Sequence, residues 1–225
     1  MILLINNSRP RRNKIDRLSS VPKLKCALDA LKLEYYEVKG HDVAVLDPES
    51  MLHKRITGVI ISGSSMKLSK ISLEISQYVY ILRYLQAFSK LPVLGICFGA
   101  QLLVYLYGGK LVDQGKYTCE KLPIAITTPH HTNTNKIFTR NGGINKNKNE
   151  PIVPMFCFSD LPVMPPQRRI RAVAWLRDDP SVAVAYEFEK GQVYGCLFHP
   201  EWEPATYFII ANVFAAARDD GRAFN

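Results

Sequence analysis

The stretch Leu91-Pro92-Val93-Leu94-Gly95-Ile96-Cys97-Phe98-Gly99-Ala100-Gln101 decides how this sequence reads. A short apolar run ends in a Gly-x-Cys-x-Gly turn, and the pattern then changes to helical spacing through Tyr107. This is a strand-turn-helix arrangement with a nucleophile at its corner. The two glycines let the backbone crowd together, while Cys97 projects from the end of the strand. A helix that starts after Cys97 presents unpaired N–H groups and a dipole that favours a thiolate. The N–H of Phe98 is then placed to receive an oxyanion. On spacing alone, a packed turn around an inert buried thiol fits this motif about as well as a catalytic one does.

Working outward, the strand-helix alternation continues on the N-terminal side. Met1–Asn6 reads as a buried strand. Ser19 or Ser20 is placed to cap a helix that opens near Val21-Pro22, and Val21, Leu24, Leu28 and Leu31 recur at helical spacing. Tyr35, Tyr36 and Val38 suggest a second strand. Thr57–Ile61 is nearly continuous in apolar residues, as expected for a strand covered on both faces. A long helix is expected over about 69–88. The class is therefore α/β with a central, mostly parallel sheet. From Leu122 onward short strands dominate, around 124–126, 155–158, 170–175, 182–186 and 192–197, and suggest a smaller C-terminal β-sheet region. A final helix is expected over 205–217. Residues 129–150, rich in Asn, Lys and Thr, read as an exposed, flexible polar insertion within a single domain covering 1–225.

Composition narrows the function classes. The chain has 225 residues, 47% of them hydrophobic, enough for one domain with a sizeable core. No apolar run is long enough to cross a bilayer, and the N-terminus lacks the pattern of a signal peptide. The five cysteines are widely spaced with no C-x-x-C, which argues against a disulfide framework and for a reducing, cytoplasmic setting. Neighbouring His130 and His131 lack further ligands at zinc spacing, so no metal is expected. The formal charge of +9 includes a basic cluster at Arg9, Arg11, Arg12, Lys14 and Arg17. No DNA-binding motif accompanies it, and a solvated basic loop accounts for it without nucleic acid.

The second chemical signal is Phe198-His199-Pro200-Glu201-Trp202, directly after an apolar strand. A nucleophilic cysteine needs a base, and the base needs a carboxylate to orient it. His199 and Glu201 are suited to those roles, although a surface histidine beside an acid is common.

Gly95–Gln101 and Phe198–Glu201 together resemble the two signature motifs of class I glutamine amidotransferases, in order, separation and setting, over nearly the whole chain. The resemblance implies a three-layer flavodoxin-like sandwich and a Cys97–His199–Glu201 triad, with no cofactor. It implies cleavage of the glutamine side-chain amide through a γ-glutamyl thioester, with ammonia passed to a separate synthetase. Gly58–Ser64 matches the loop that supplies the other half of the oxyanion hole through Gly63 and Ser64. Ser64 stands where a second glycine is usual, and serine would be strained there if the position needs positive φ. Gln101 matches a residue that contacts the amino-acid end of glutamine. Cys157-Phe158-Ser159-Asp160 corresponds to a Ser-His-Gly-Asp-like stretch lining the glutamine pocket, with Phe158 in place of histidine. The Ile-Ser-Gly loop is similar to that of the glutaminase domain of GMP synthetases. Two other readings stay open: a γ-glutamyl peptidase or hydrolase without an ammonia acceptor, and a catalytically silent binding or regulatory module.

Overall fold

The computed structural model describes residues 1–8, 20–40, 42, 55–70, 91–126, 137–138, 151–163, 169–188 and 192–219. The apolar runs form the predicted parallel strands: β1 (Ile2–Asn6), β2 (Tyr35–Lys39), β3 (Gly58–Ile61) and β4 (Val93–Ile96). Every residue of β1, β3 and β4 is buried, which explains why they read as continuous apolar runs without alternation. Helix α1 (Ser20–Ala30) buries Val21, Leu24, Ala27 and Leu28, the helical stripe seen in the sequence. Helix α2 (Phe98–Leu106) follows the Cys97 turn.

The remaining strands are β5 (Lys110–Lys121), β6 (Ile124–Ile126), β7 (Met155–Val163), β8 (Ile170–Leu176), β9 (Ala183–Phe188), β10 (Val193–Cys196) and β11 (Phe198–His199). Helix α3 (Tyr207–Asp219) ends the described chain, after a short 3-10 turn at Pro204–Thr206. The large sheet runs β2-β1-β3-β4-β10-β9-β8-β6. Its strands are parallel from β2 to β10, and β9, β8 and β6 extend it antiparallel. A small antiparallel sheet has the order β11-β7-β5.

The strands after Leu122 are thus shared between two sheets. β6, β8, β9 and β10 join the large one, while β7 and β11 pair with β5, which begins before the change of pattern at Leu122. Helix α2 lies between the sheets, touching β4 and β10 on one side and β5 and β7 on the other. The expected helix over 69–88 is described only at its start, where Leu68–Lys70 forms a 3-10 turn; from 71 on it lies outside the described residues. Most of 129–150 also lies outside them. Ile137 and Phe138, within that polar segment, are buried in the core, and the Asn212 amide of α3 donates to Ile137 O at 3.0 Å. Among the described residues, no helix is long and apolar enough to cross a membrane.

Candidate active site

Cys97 is one of three described non-glycine residues with positive φ, at φ 50° and ψ −106°. This conformation costs an L-residue about 1–3 kcal/mol, and such strain collects at functional sites. Both flanking glycines are sterically required. A Cβ on Gly99 would lie 2.1 Å from Ile61 O, and one on Gly95 would lie 2.6–2.7 Å from Leu103 Cδ1 and from the Gly99 backbone. The turn is therefore pressed between β3 and α2 with no room for a side chain. The Cys97 N–H donates to Cys196 O at 2.7 Å, tying the turn to β10, and Gln101 N–H donates to Cys97 O at 3.0 Å as the helix begins.

After Cys196 the chain leaves the large sheet, and Phe198 and His199 pair with Phe156 and Met155 of β7. This crossing brings His199 beside Cys97. A Cβ built on Gly63 would lie 3.1 Å from His199 Cε1 and 3.5 Å from Cys97 Cβ, so the Gly63 loop, the ring and Cys97 converge on one point. His199 Nδ1–H donates to Glu201 Oε1 at 2.8 Å, with both side chains buried. The turn that presents Glu201 is held by Thr206, whose hydroxyl lies 2.8 Å from Pro200 O and 2.9 Å from Glu203 O. The Trp202 ring leans on His199 at 5.6 Å between centroids, with Lys23 Nζ 4.8 Å from the Trp202 ring centre.

Burial works against a charged His199 ring, but the Glu201 carboxylate and then Cys97 outweigh it and raise His199 to about 10. His199 therefore holds a proton through the neutral range. The thiol of Cys97 donates to Cys157 O at 3.2 Å and also lies close enough to the His199 ring to help raise it. Cys196, buried beneath the site, is pushed well up by burial first and then by Glu201 and Cys97, so it stays a neutral thiol.

The other predicted residues divide by strand direction. Gln101 Nε2 donates to Asp160 O at 2.8 Å, bridging α2 to β7. Cys157 reaches Cys97 through its carbonyl, and Ser159 Oγ lies 3.4 Å from Asp160 Oδ1. Phe158 points away from these two. Its ring packs 5.8 Å from Phe156, which in turn packs 5.8 Å from Phe198, so Phe158 extends an aromatic cluster in the core and leaves only its backbone for the site. Ser64 is absent from the described positive-φ residues, so serine in place of glycine costs no backbone strain here. Its hydroxyl accepts from Met66 N–H at 3.3 Å. Phe98 is fully buried as the first residue of α2.

Several participants were not singled out from sequence. The Asn7 backbone N–H donates to Ser62 Oγ at 2.9 Å and its side-chain amide donates to Ser62 O at 3.2 Å, fixing the Gly63 loop to the end of β1. Ser20, recognised only as a helix start, is buried with Oγ 3.0 Å from the position of a Gly63 Cβ, and that hydroxyl has no protein partner. Glu201 Oε2 and Trp202 Nε1 are likewise buried without one. Such unmatched groups are uncommon in interiors and here gather around one point. Among the described residues, no three His, Cys, Asp or Glu side chains are grouped as a metal site would require.

The family model for class-I glutamine amidotransferases matches residues 25–216. The chain belongs to this family. GMP synthase [glutamine-hydrolyzing] from Caldanaerobacter subterraneus subsp. tengcongensis is 28% identical to the amidotransferase chain over 167 residues, 74% of it, and the chain spans only 27% of that relative's length. Among solved structures, a protein described as a candidate component of GMP synthase from Thermoplasma acidophilum superposes with TM-score 0.70 at 18% identity, covering 99% of this chain and 97% of the other. PurLQS from Thermotoga maritima superposes with TM-score 0.66 at 16% identity, covering 96% of each chain. At these identities the superpositions establish the amidotransferase fold alone.

Proposed function

We propose that this amidotransferase hydrolyses the side-chain amide of glutamine on Cys97 and supplies the ammonia to a synthetase on another polypeptide, one of the GMP synthetase type. The observation that carries the reading is the convergence of strained Cys97, His199 and the Gly63 loop, with His199 held by Glu201 at 2.8 Å. Cys97, as a thiolate beside the protonated His199 ring, attacks the amide carbon. The N–H groups of Phe98, Gly63 and Ser64 receive the oxyanion. His199 returns a proton to the departing ammonia, and water activated by His199 then releases glutamate from the thioester. Gln101, Cys157 and Ser159 are assigned to the glutamine pocket, with Phe158 contributing backbone only.

The Cys97 thiol adjoins both Cys157 O and the His199 ring, which supports their acting together. The resemblance to a glutamine-hydrolysing GMP synthase, of whose length the chain spans 27%, supports an ammonia acceptor of that type.

A glutaminase assay of the full chain tests the reading. Wild type is expected to release glutamate and ammonia, and Cys97→Ala is expected to lose this activity. A Cys97→Ala protein as fast as wild type would refute it. Ser64 and Phe158 depart from the family pattern at the pocket, which keeps a γ-glutamyl hydrolase as the second reading; faster turnover of γ-glutamyl peptides than of glutamine would favour it.

A further inference from the structure

The β5–β7 wall of the site carries two thiols opposite one another, Cys119 and Cys157. The two strands are antiparallel and these residues are directly paired in the ladder. Directly opposed residues project from the same face, with Cα atoms about 4.5–5.5 Å and Cβ atoms about 4.5–5.5 Å apart. A disulfide takes Cα separations of about 4.4–6.8 Å and Cβ separations of about 3.5–4.5 Å. The backbone spacing therefore suits a bridge in either type of antiparallel pair, and the Cβ atoms need to close by only about 1 Å.

Local structure permits that closure. The β5–β7 register shifts between Asp113 and Thr118, immediately before Cys119, and an interrupted ladder bends more readily than a regular one. Cys119 is exposed and Cys157 is buried, and both are free thiols. Their thiols already interact. Burial first, then the contact with Cys119, pushes Cys157 up to about 12, while a hydrogen bond from Tyr117 acts in the opposite direction.

We propose that Cys119 and Cys157 are a thiol-modification site that closes into a reversible cross-strand disulfide beside the Cys97 thiol. The oxidant class is a small-molecule disulfide of the glutathione type. The Cys119 thiolate attacks it, breaking its S–S bond and releasing one small thiol. Cys157 then loses its proton and attacks the Cys119 sulfur. The protein S–S bond forms and the second small thiol leaves. Two protein thiols are oxidised by two electrons, and one small disulfide is reduced to two thiols. The protonated state of buried Cys157 makes its attack the slow step, so closure speeds up as pH rises. The bridge draws on the residue whose carbonyl accepts the Cys97 thiol, and it reaches the active site through that hydrogen bond.

The test does not require glutaminase activity, so its outcome is separable from that of the proposed reaction. Trypsin places the relevant thiols in different peptides: Cys97 in 91–110, Cys119 in 117–121 and Cys157 in 149–168. Reduced full-length protein is incubated with oxidised glutathione, its free thiols are blocked, and the digest is mapped. The expected result is a link between the Cys119 and Cys157 peptides that forms faster at higher pH and is lost on treatment with dithiothreitol. The Cys119→Ser protein should show no link to Cys157. Glutathione adducts alone, or a Cys97–Cys157 link in place of Cys119–Cys157, would overturn the proposal.

Discussion

Replacing Glu201 by Gln keeps the shape of the side chain and removes its charge, so it isolates what the carboxylate does for His199. Glu201 is the leading cause that raises the ring, against burial, to about 10, from an ordinary value of 6.5. The wild-type native state therefore holds the His199 proton through a pH range in which the unfolded chain has released it. The stabilisation from this proton is complete below pH 6.5 and is lost as pH rises through about 10. Within the window the native state binds one extra proton, and stability falls by up to about 1.4 kcal/mol per pH unit. In Glu201→Gln, burial dominates, the ring is neutral near pH 7, and this slope disappears. Urea unfolding of both proteins from about pH 7 to about pH 7.8, below the ordinary thiol value of about 8.5, measures the difference. The stability advantage of wild type should shrink by about 1.4 kcal/mol for each unit of pH rise. Curves that run parallel across the window would refute the assignment of His199 as a proton held by Glu201. The same substitution is expected to lower glutaminase kcat by roughly 10²–10⁴-fold, the usual range for losing oriented acid-base catalysis.

Gly99→Ala forces a methyl group against Ile61 O and is expected to cost about 1–3 kcal/mol or more, read from the urea midpoint. Gly63→Ala meets the Ser20 hydroxyl, His199 Cε1 and Cys97 Cβ instead of backbone, so alkylation of Cys97 by iodoacetamide should change more than the unfolding midpoint does. Thr206→Val removes the hydroxyl bond to Pro200 O, with an expected stability loss of about 1 kcal/mol and a reduced glutaminase kcat, because the turn holding Glu201 loosens. Ser20→Ala deletes a buried hydroxyl with no protein partner, so thermal unfolding should show stability unchanged or raised by about 1 kcal/mol; a large loss would show that the hydroxyl is bonded.

The parallel half of the fold was legible because its strands are buried throughout, and continuous apolar runs such as Leu3-Leu4-Ile5 and Val59-Ile60-Ile61 have few other readings. The Cys97 turn was legible for a steric reason: its glycines stand where backbone meets backbone. The allocation of later strands between two sheets was not, because local periodicity does not name a strand's partner. β5 gave little signal, since most of its residues are exposed and an apolar-polar alternation has no core to reflect. Phe158 illustrates the period-two rule. One position along β7 separates the residue whose carbonyl meets Cys97 from a ring in the core. Asn7 and Ser20 act on the Gly63 loop from far away in sequence, and nothing in their immediate neighbours marks that role.

The chain changes sheets between Cys196 and Phe198, and this divides Cys97 and His199 between two sheets. Cys97 follows a strand of the large sheet, whereas His199 and the Cys157 carbonyl belong to strands of the small one. The distance from Cys97 to His199 is therefore a measure of how the two sheets are aligned. Strand β5 reaches the site through its ladder with β7, where Cys119 faces Cys157. The placement of Cys97 against His199 is thus a property of both sheets together and of neither motif alone.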